Sequence, residues 1–145
     1  MKFFYYFINT CKLIIPNIIY RLIAKIEKKA IEDFSVVQRV LYYNKIDSDF
    51  VVENSNQTLS QFKKHKKNTY FFDLYEYLRF FDSSFRISYL FGDVTHVPDI
   101  PTIVKSRPID GDNSNSILMN LNKVRHFVFI KDKIRFEDKK NIVVW

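Results

Sequence analysis

The sequence predicts an α/β chain in which helices come first and strands follow. Apolar residues recur at helical spacing up to Tyr43, and they alternate with polar ones from Phe85 onward. A third observation sets the scale. At 145 residues, 47% hydrophobic and 27% charged, the chain can bury a core of its own and is neither a disordered tail nor a membrane bundle.

The amino-terminal stretch is the most membrane-like. Phe3–Ile8 and Leu13–Ile15 are apolar, and Ile18–Ile19 and Leu22–Ile23 follow. A spanning helix needs about 20 mostly apolar residues, whereas Lys12 and Arg21 cut this run and Pro16 kinks it. No small-residue cleavage site follows, which speaks against a secretory signal. Lys2, Lys12, Arg21 and Lys25 all precede the first acid, Glu27. Two readings stand equally: a segment lying on an anionic leaflet, or a helix pair packing on a soluble core. Ile18–Lys29 is expected to be a helix with Ile19, Leu22, Ile23 and Ile26 on one face and basic residues opposite. Ile31–Tyr43 continues in that style, with Phe34, Val37, Val40 and Leu41 inward. Residues 1–43 thus form a basic amphipathic helical segment, and 44–145 a second region. Cys11 is the single cysteine, which excludes an internal disulfide and fits a reducing compartment. Its apolar setting marks it as a small hydrophobe.

Asn44–Ser60 is rich in Asn, Ser and Asp and reads as irregular. Lys63-Lys64-His65-Lys66-Lys67 reads as a solvated face, because no arginine or interleaved aromatic suggests base stacking. Asp73 and Glu76 have the spacing of a helix cap and its reciprocal partner, so Asp73–Phe81 is an expected helix with Leu74, Tyr77, Leu78 and Phe81 on one face. Phe85–Phe91 alternates as a strand and ends at Gly92-Asp93. Thr102–Lys105 is a second strand between Pro101 and Pro108, which cannot continue a sheet ladder. Ile117–Leu121 and Phe127–Ile130 are two more. The closing run Ile142–Trp145 reads as a strand cut off as it begins.

Two glycines cannot furnish a glycine-rich phosphate loop. A net charge of +7 favours anionic partners without choosing among them. The densest polar constellation runs from Gly92 to Pro98 and then Lys105 to Pro108. A carboxylate such as Asp93, just past a strand end in a proline-stiffened loop, suits a general base, although a turn-capping aspartate is the commoner role. Lys105 and Arg107 suit an anionic substrate group. His96 reads equally as a structural histidine. His65 and His126 are far from it in sequence, so no metal site is inferred. Ser106 has no adjacent base, which argues against a hydrolase triad.

Phe91-Gly-Asp-Val-Thr-His-Val-Pro98, Pro101-Thr-Ile-Val-Lys-Ser-Arg-Pro-Ile109 and Asn115-Ser-Ile-Leu-Met-Asn-Leu-Asn-Lys-Val-Arg-His-Phe127 closely resemble bacterial lipopolysaccharide A proteins. These are glycosyltransferases of family ninety, related to capsule-associated fungal enzymes and animal protein O-glucosyltransferases. The resemblance is strongest over Tyr70–Trp145. It implies a GT-B fold of two Rossmann-like halves, with the saccharide acceptor held mostly by the first half and the nucleotide-sugar donor by the second. It implies metal-independent hexose transfer to a lipopolysaccharide or lipooligosaccharide, with no cofactor beyond the donor substrate. By that resemblance Asp93 is the catalytic base and Lys105 and Ser106 line the cleft; His96 and Arg107 are expected beside them as substrate-binding residues. Trp145 resembles the start of a Trp/Phe-Arg-Gly motif whose Arg and Gly are missing. The expectation is therefore an acceptor-side portion, truncated before the donor half and inactive alone, or one product of a split gene with a donor-half chain as partner. Such a protein is expected in the cytoplasm, with the inner face of the cytoplasmic membrane as a peripheral site. The alternative is a basic module bound to a membrane surface or, less in keeping with the lysine run, to nucleic acid.

Overall fold

The computed structural model describes residues 2–26, 34–53, 56–126 and 132–142. Within them the chain runs α1 (Lys2–Ile14), α2 (Asn17–Ile26), α3 (Phe34–Tyr43), α4 (Leu59–Phe62), α5 (Thr69–Leu78), β1 (Thr102–Val104), β2 (Ser116–Leu118) and α6 (Lys123–His126). A 3₁₀ turn follows at Phe136–Asp138.

Helix α5 organises the core. Its cap is Asn68, whose side chain accepts from the Phe71 N–H at 2.8 Å, so the helix starts ahead of the expected Asp73. Asp73 is instead buried in mid-helix at 2% exposure. It accepts from the Tyr5 hydroxyl at 2.5 Å and from the Lys123 backbone N–H at 2.7 Å. Glu76 is no cap partner either, because it pairs with Lys12 at 3.4 Å and Lys123 at 2.8 Å. Cap spacing is also the spacing of two residues on one helix face, and here the face meets donors from α1 and α6. Phe62, Phe71, Leu74 and Leu121 are fully buried. Phe62 and Phe71 stack at 5.2 Å, and Tyr89 meets Phe62 edge-on at 5.0 Å. Such ring pairs each add about 0.5–1.5 kcal/mol beyond the area they bury. Thr58 and Gln61 form a reciprocal capping box that starts α4 and delivers Phe62 to this cluster.

Helices α1 and α2 pack on α5, and α2 does so by a face other than the one its periodicity suggests. Tyr5, Tyr6 and Leu13 of α1 meet the core. Arg79 is buried, donates to the Lys12 carbonyl at 2.8 Å and lies 3.9 Å from the Tyr20 ring centre. That places a cation on the last-turn carbonyls of α1, where the helix dipole favours it. From α2, Asn17 meets the Tyr75 hydroxyl at 2.9 Å and Arg21 pairs with Asp82 at 2.7 Å. The expected inward residues Ile19, Leu22 and Ile23 are exposed, together with Ile18. The reason is the facing surface: α5 and the turn after it offer Tyr75, Arg79 and Asp82, which reward polar side chains. Phe34, Val37, Val40 and Leu41 of α3, also expected inward, are exposed as well, and so is Cys11. The expected extension of the second helix to Lys29, and the start of the third at Ile31, lie outside the described residues.

The charge pairs at Glu76 give a pH signature. Burial alone would raise its pKa, but the hydrogen bond and charge of Lys123, and then Lys12, outweigh this and hold it below 4.5. A carboxylate lowered on folding stabilises above its unfolded value and loses that contribution as pH falls through its folded value. Its side chain is 39% exposed, so screening limits the loss to about 1 kcal/mol or less. Thermal melts from pH 7 downward should show this loss beneath about pH 4.5 in the wild type. Glu76→Gln should lack that component. A variant that loses as much as the wild type over the same window would contradict the assignment.

The sheet is small and parallel. β1 and β2 pair in the register Thr102↔Ser116, Ile103↔Ile117 and Val104↔Leu118. The expected strand Phe85–Phe91 is extended but splits its pairing. Its first part binds the α4 approach, through Leu59 N to Phe85 O at 2.9 Å and Ile87 N to Gln57 O at 3.1 Å. Its second part binds β1, through Ile103 N to Ser88 O at 3.0 Å and Leu90 N to Ile103 O at 2.9 Å. The result is two single bridges, Thr58↔Arg86 antiparallel and Tyr89↔Ile103 parallel, in place of one continuous ladder. β2 begins and ends earlier than the expected Ile117–Leu121. The expected strand Phe127–Ile130 and the final residues of the run Ile142–Trp145 lie outside the described residues.

Candidate functional site

Three segments run parallel: the Tyr89 stretch, β1 and β2. Their carboxyl ends therefore point to one edge, which is where open α/β sheets bind ligands. Gly92 turns the chain there with φ +96°, a conformation that favours glycine. Asp93 comes next in a loop, its side chain 79% exposed. Residues from the end of β1 hold that loop. Lys105 Nζ lies 2.6 Å from Asp93 Oδ1, its side chain 17% exposed. The hydrogen bond to Asp93 raises the Lys105 pKa against the opposing effect of burial, so its ammonium persists. Ser106 Oγ accepts from the Val94 N–H at 2.8 Å and donates to the Val94 carbonyl at 3.2 Å. Two successive residues of one loop thus fix two successive residues of the other.

Arg107 is engaged differently from the expected anion fork. Its Nη1 donates to Ser116 O at 2.9 Å and its Nη2 to Tyr42 O at 2.5 Å. It ties the end of α3 to β2 and so shapes the site's wall. His96 is exposed and lies on the Asp93 loop. Sequence reasoning missed Tyr42, Lys45 and Asn113. With Lys105, Ser106 and Arg107 they line a recess of about 390 Å³. Lys45 Nζ donates to Asn113 Oδ1 at 2.8 Å, and Asn113 Nδ2 donates to Pro108 O at 2.9 Å. No local pattern marks Lys45, because its partner is 68 residues away. Asp93 is not on the wall of this recess; Lys105 connects the two. The arrangement sets a carboxylate beside a recess of mixed lining, where Lys45, Lys105, Ser106 and Asn113 stand with Ile109 and Leu118, a combination suited to the hydroxyls and apolar ring faces of a sugar.

Ser106→Ala should leave the amide of the buried Val94 without its acceptor. The expected cost is about 1–2 kcal/mol. Faster hydrogen exchange at the Val94 amide than in the wild type would check it, and unchanged protection there would contradict it.

Over 111 residues, 77% of the chain, the sequence is 39% identical to the O-glucosyltransferase LpsA of Dichelobacter nodosus. The similarity is to a glycosyltransferase. It supports the family relationship read from the motifs between Phe91 and Phe127. The chain spans 35% of that protein's length. No protein-family model and no solved structure matches the chain.

Proposed function

We propose that this chain supplies the acceptor side of a hexosyltransferase of GT-B type, with Asp93 as the base. The observation that carries this reading is the 39% identity to an O-glucosyltransferase, in a chain whose Asp93 stands exposed at the carboxyl edge of a parallel sheet. In the reaction, an acceptor hydroxyl oxygen attacks the anomeric carbon of a nucleotide-activated hexose. The new C–O bond forms as the bond to the nucleotide diphosphate breaks, and the hydroxyl proton passes to Asp93. Lys105 positions the carboxylate, and the recess beside it takes the acceptor's other hydroxyls or an anionic substituent. The acceptor is a lipopolysaccharide-type oligosaccharide, and transfer takes place on the cytoplasmic side of the membrane.

With two glycines and no phosphate loop, these 145 residues have no evident grip on a nucleotide diphosphate. Positioning of donor and acceptor together supplies much of the rate. The chain by itself should therefore bind deacylated lipooligosaccharide but turn over no nucleotide hexose. Titration followed by amide chemical shifts should move residues in 93–96, 105–107 and 113–116. Turnover by the isolated chain, or shifts confined to other surfaces, would overturn the reading.

A further inference from the structure

The first two helices show their apolar sides to solvent. Phe3, Phe4, Phe7, Ile8, Cys11 and Ile14 fall on one stripe of α1, with Phe3 83% and Ile14 81% exposed. Ile18, Ile19, Leu22 and Ile23 make the corresponding stripe of α2. Neither stripe carries a charge. The charged residues between them turn the other way, Lys12 to Glu76 and Arg21 to Asp82. This reverses the usual polarity of a surface helix. Burying such stripes is what a partner must provide, since apolar patches of this kind mark interaction sites.

The location of charge says which partner. Tyr5 reaches Thr69 and Asp73 while Lys12 reaches Glu76, so α1 and α5 run in the same direction. The amino end of α1, with its phenylalanines, therefore sits at the amino end of α5. Immediately before α5 comes Lys63-Lys64-His65-Lys66-Lys67, all exposed and without an acid among them. Lys67 folds back onto the Lys63 and His65 carbonyls and over the Phe71 ring at 3.9 Å. Lys63, Lys64 and Lys66 are exposed, and so is Lys2 at the amino end of α1.

Among the described residues no single helix is long and apolar enough to cross a membrane. Taken together α1 and α2 reach that length and composition, but they bend by 86° at the break between them, so they do not form one straight span. We propose that this face rests on an anionic lipid bilayer, with Phe3, Phe4 and Phe7 in the interface and Lys63, Lys64 and Lys66 against the headgroups. Apolar rings beside lysines are the composition that interfacial binding uses. A second copy is disfavoured because pairing these faces would bring like-charged lysine runs together.

The test is sedimentation of the full chain with vesicles of phosphatidylcholine alone or with about 30% phosphatidylglycerol. Binding is expected to the anionic vesicles at about 0.1 M salt, with release at about 1 M. Lys63→Glu, Lys64→Glu and Lys66→Glu together should weaken partitioning about 100-fold or more, since each lysine near the surface contributes about 5-fold. These side chains are exposed, so circular dichroism should be unchanged. Phe3→Ser, Phe4→Ser and Phe7→Ser should abolish binding while leaving the low-salt encounter with anionic beads. Equal binding to both vesicle types, or none to anionic vesicles at low salt, overturns the proposal. A concentration-dependent dimer in analytical ultracentrifugation, lost in the serine variant and unaccompanied by vesicle binding, would assign the face to a second copy.

Discussion

Asparagine at position 93 should lower hexose transfer by about 10²–10⁴-fold, the usual worth of a positioned general base. The measurement needs a chain able to bind donor, made by joining residues 1–145 to the remaining portion of the Dichelobacter nodosus relative. Asparagine keeps the shape of Asp93 and a hydrogen-bonding oxygen for Lys105, but it cannot take a proton from the acceptor. The loss should appear in kcat with little change in KM for the acceptor. Lys105→Met should reduce kcat less, because Lys105 positions the carboxylate and does not itself receive the proton. It makes a 2.6 Å contact that fixes one oxygen of an otherwise exposed side chain. Full activity of the asparagine variant would remove Asp93 from the mechanism. Equal losses from Asp93→Asn and Asp93→Ala, with Lys105→Met silent, would place the role in the base alone and leave positioning to the backbone.

Asp73→Leu should cost about 3 kcal/mol and lower Tm by roughly 10 °C. Asp73 is buried, and its two oxygens receive the Tyr5 hydroxyl and the Lys123 N–H. Removing the acceptor leaves the Lys123 N–H without its partner, at about 1–3 kcal/mol, and leaves the Tyr5 hydroxyl only its longer bond to Thr69 O at 3.2 Å. It also unties α1 and α6 from α5 at one point. Tyr5→Phe should cost about 1 kcal/mol, because Asp73 keeps its bond to Lys123. Circular dichroism melts order these variants, and a Leu variant as stable as wild type would refute the junction. The same contact raises the Tyr5 phenol above its ordinary value, through burial first and the Asp73 hydrogen bond next. Raised on folding, its contribution is complete below pH 10.0 and shrinks as pH climbs past it. Tyr5→Phe should therefore narrow the alkaline loss of stability that the wild type shows.

The contrast between Asp73 and Asp93 explains how far residue patterns reach. The position of Asp93 in a loop past an extended stretch was legible because its signals are local: an alternating stretch, a glycine that permits a left-handed turn, and a proline on the far side of the loop; the hold of Lys105 and Ser106 on that loop was not. Thr102–Val104 was legible for the same reason, since flanking prolines confine a strand to the residues between them. The motifs shared with lipopolysaccharide A proteins are equally local, running continuously from Phe91 to Pro98 and from Pro101 to Ile109. Asp73 offered only a spacing, and that spacing is shared by helix caps and by neighbours on one helix face. Asn68, five residues earlier, caps the helix instead.

The sequence by itself determined the leading position of the helices, the polar turn carrying Asp93, and the family its motifs resemble, but not helix α6, which follows β2. It also determined that α1 and α2 would each have an apolar and a polar side. Only the tertiary structure decided which side faces the protein. Periodicity reports that a face is apolar, but the choice of face depends on the surface standing opposite. Here Tyr75, Glu76, Arg79 and Asp82 stand opposite, so Lys12, Asn17 and Arg21 turn inward and Phe3, Phe7, Ile18 and Leu22 are left outward. The recess beside Asp93 was decided in the same way. Arg107 spends its guanidinium on the carbonyls of Ser116 and Tyr42, and Lys45 arrives from 68 residues away. Contacts at that separation depend on how the whole chain closes, and no local run of residues encodes them.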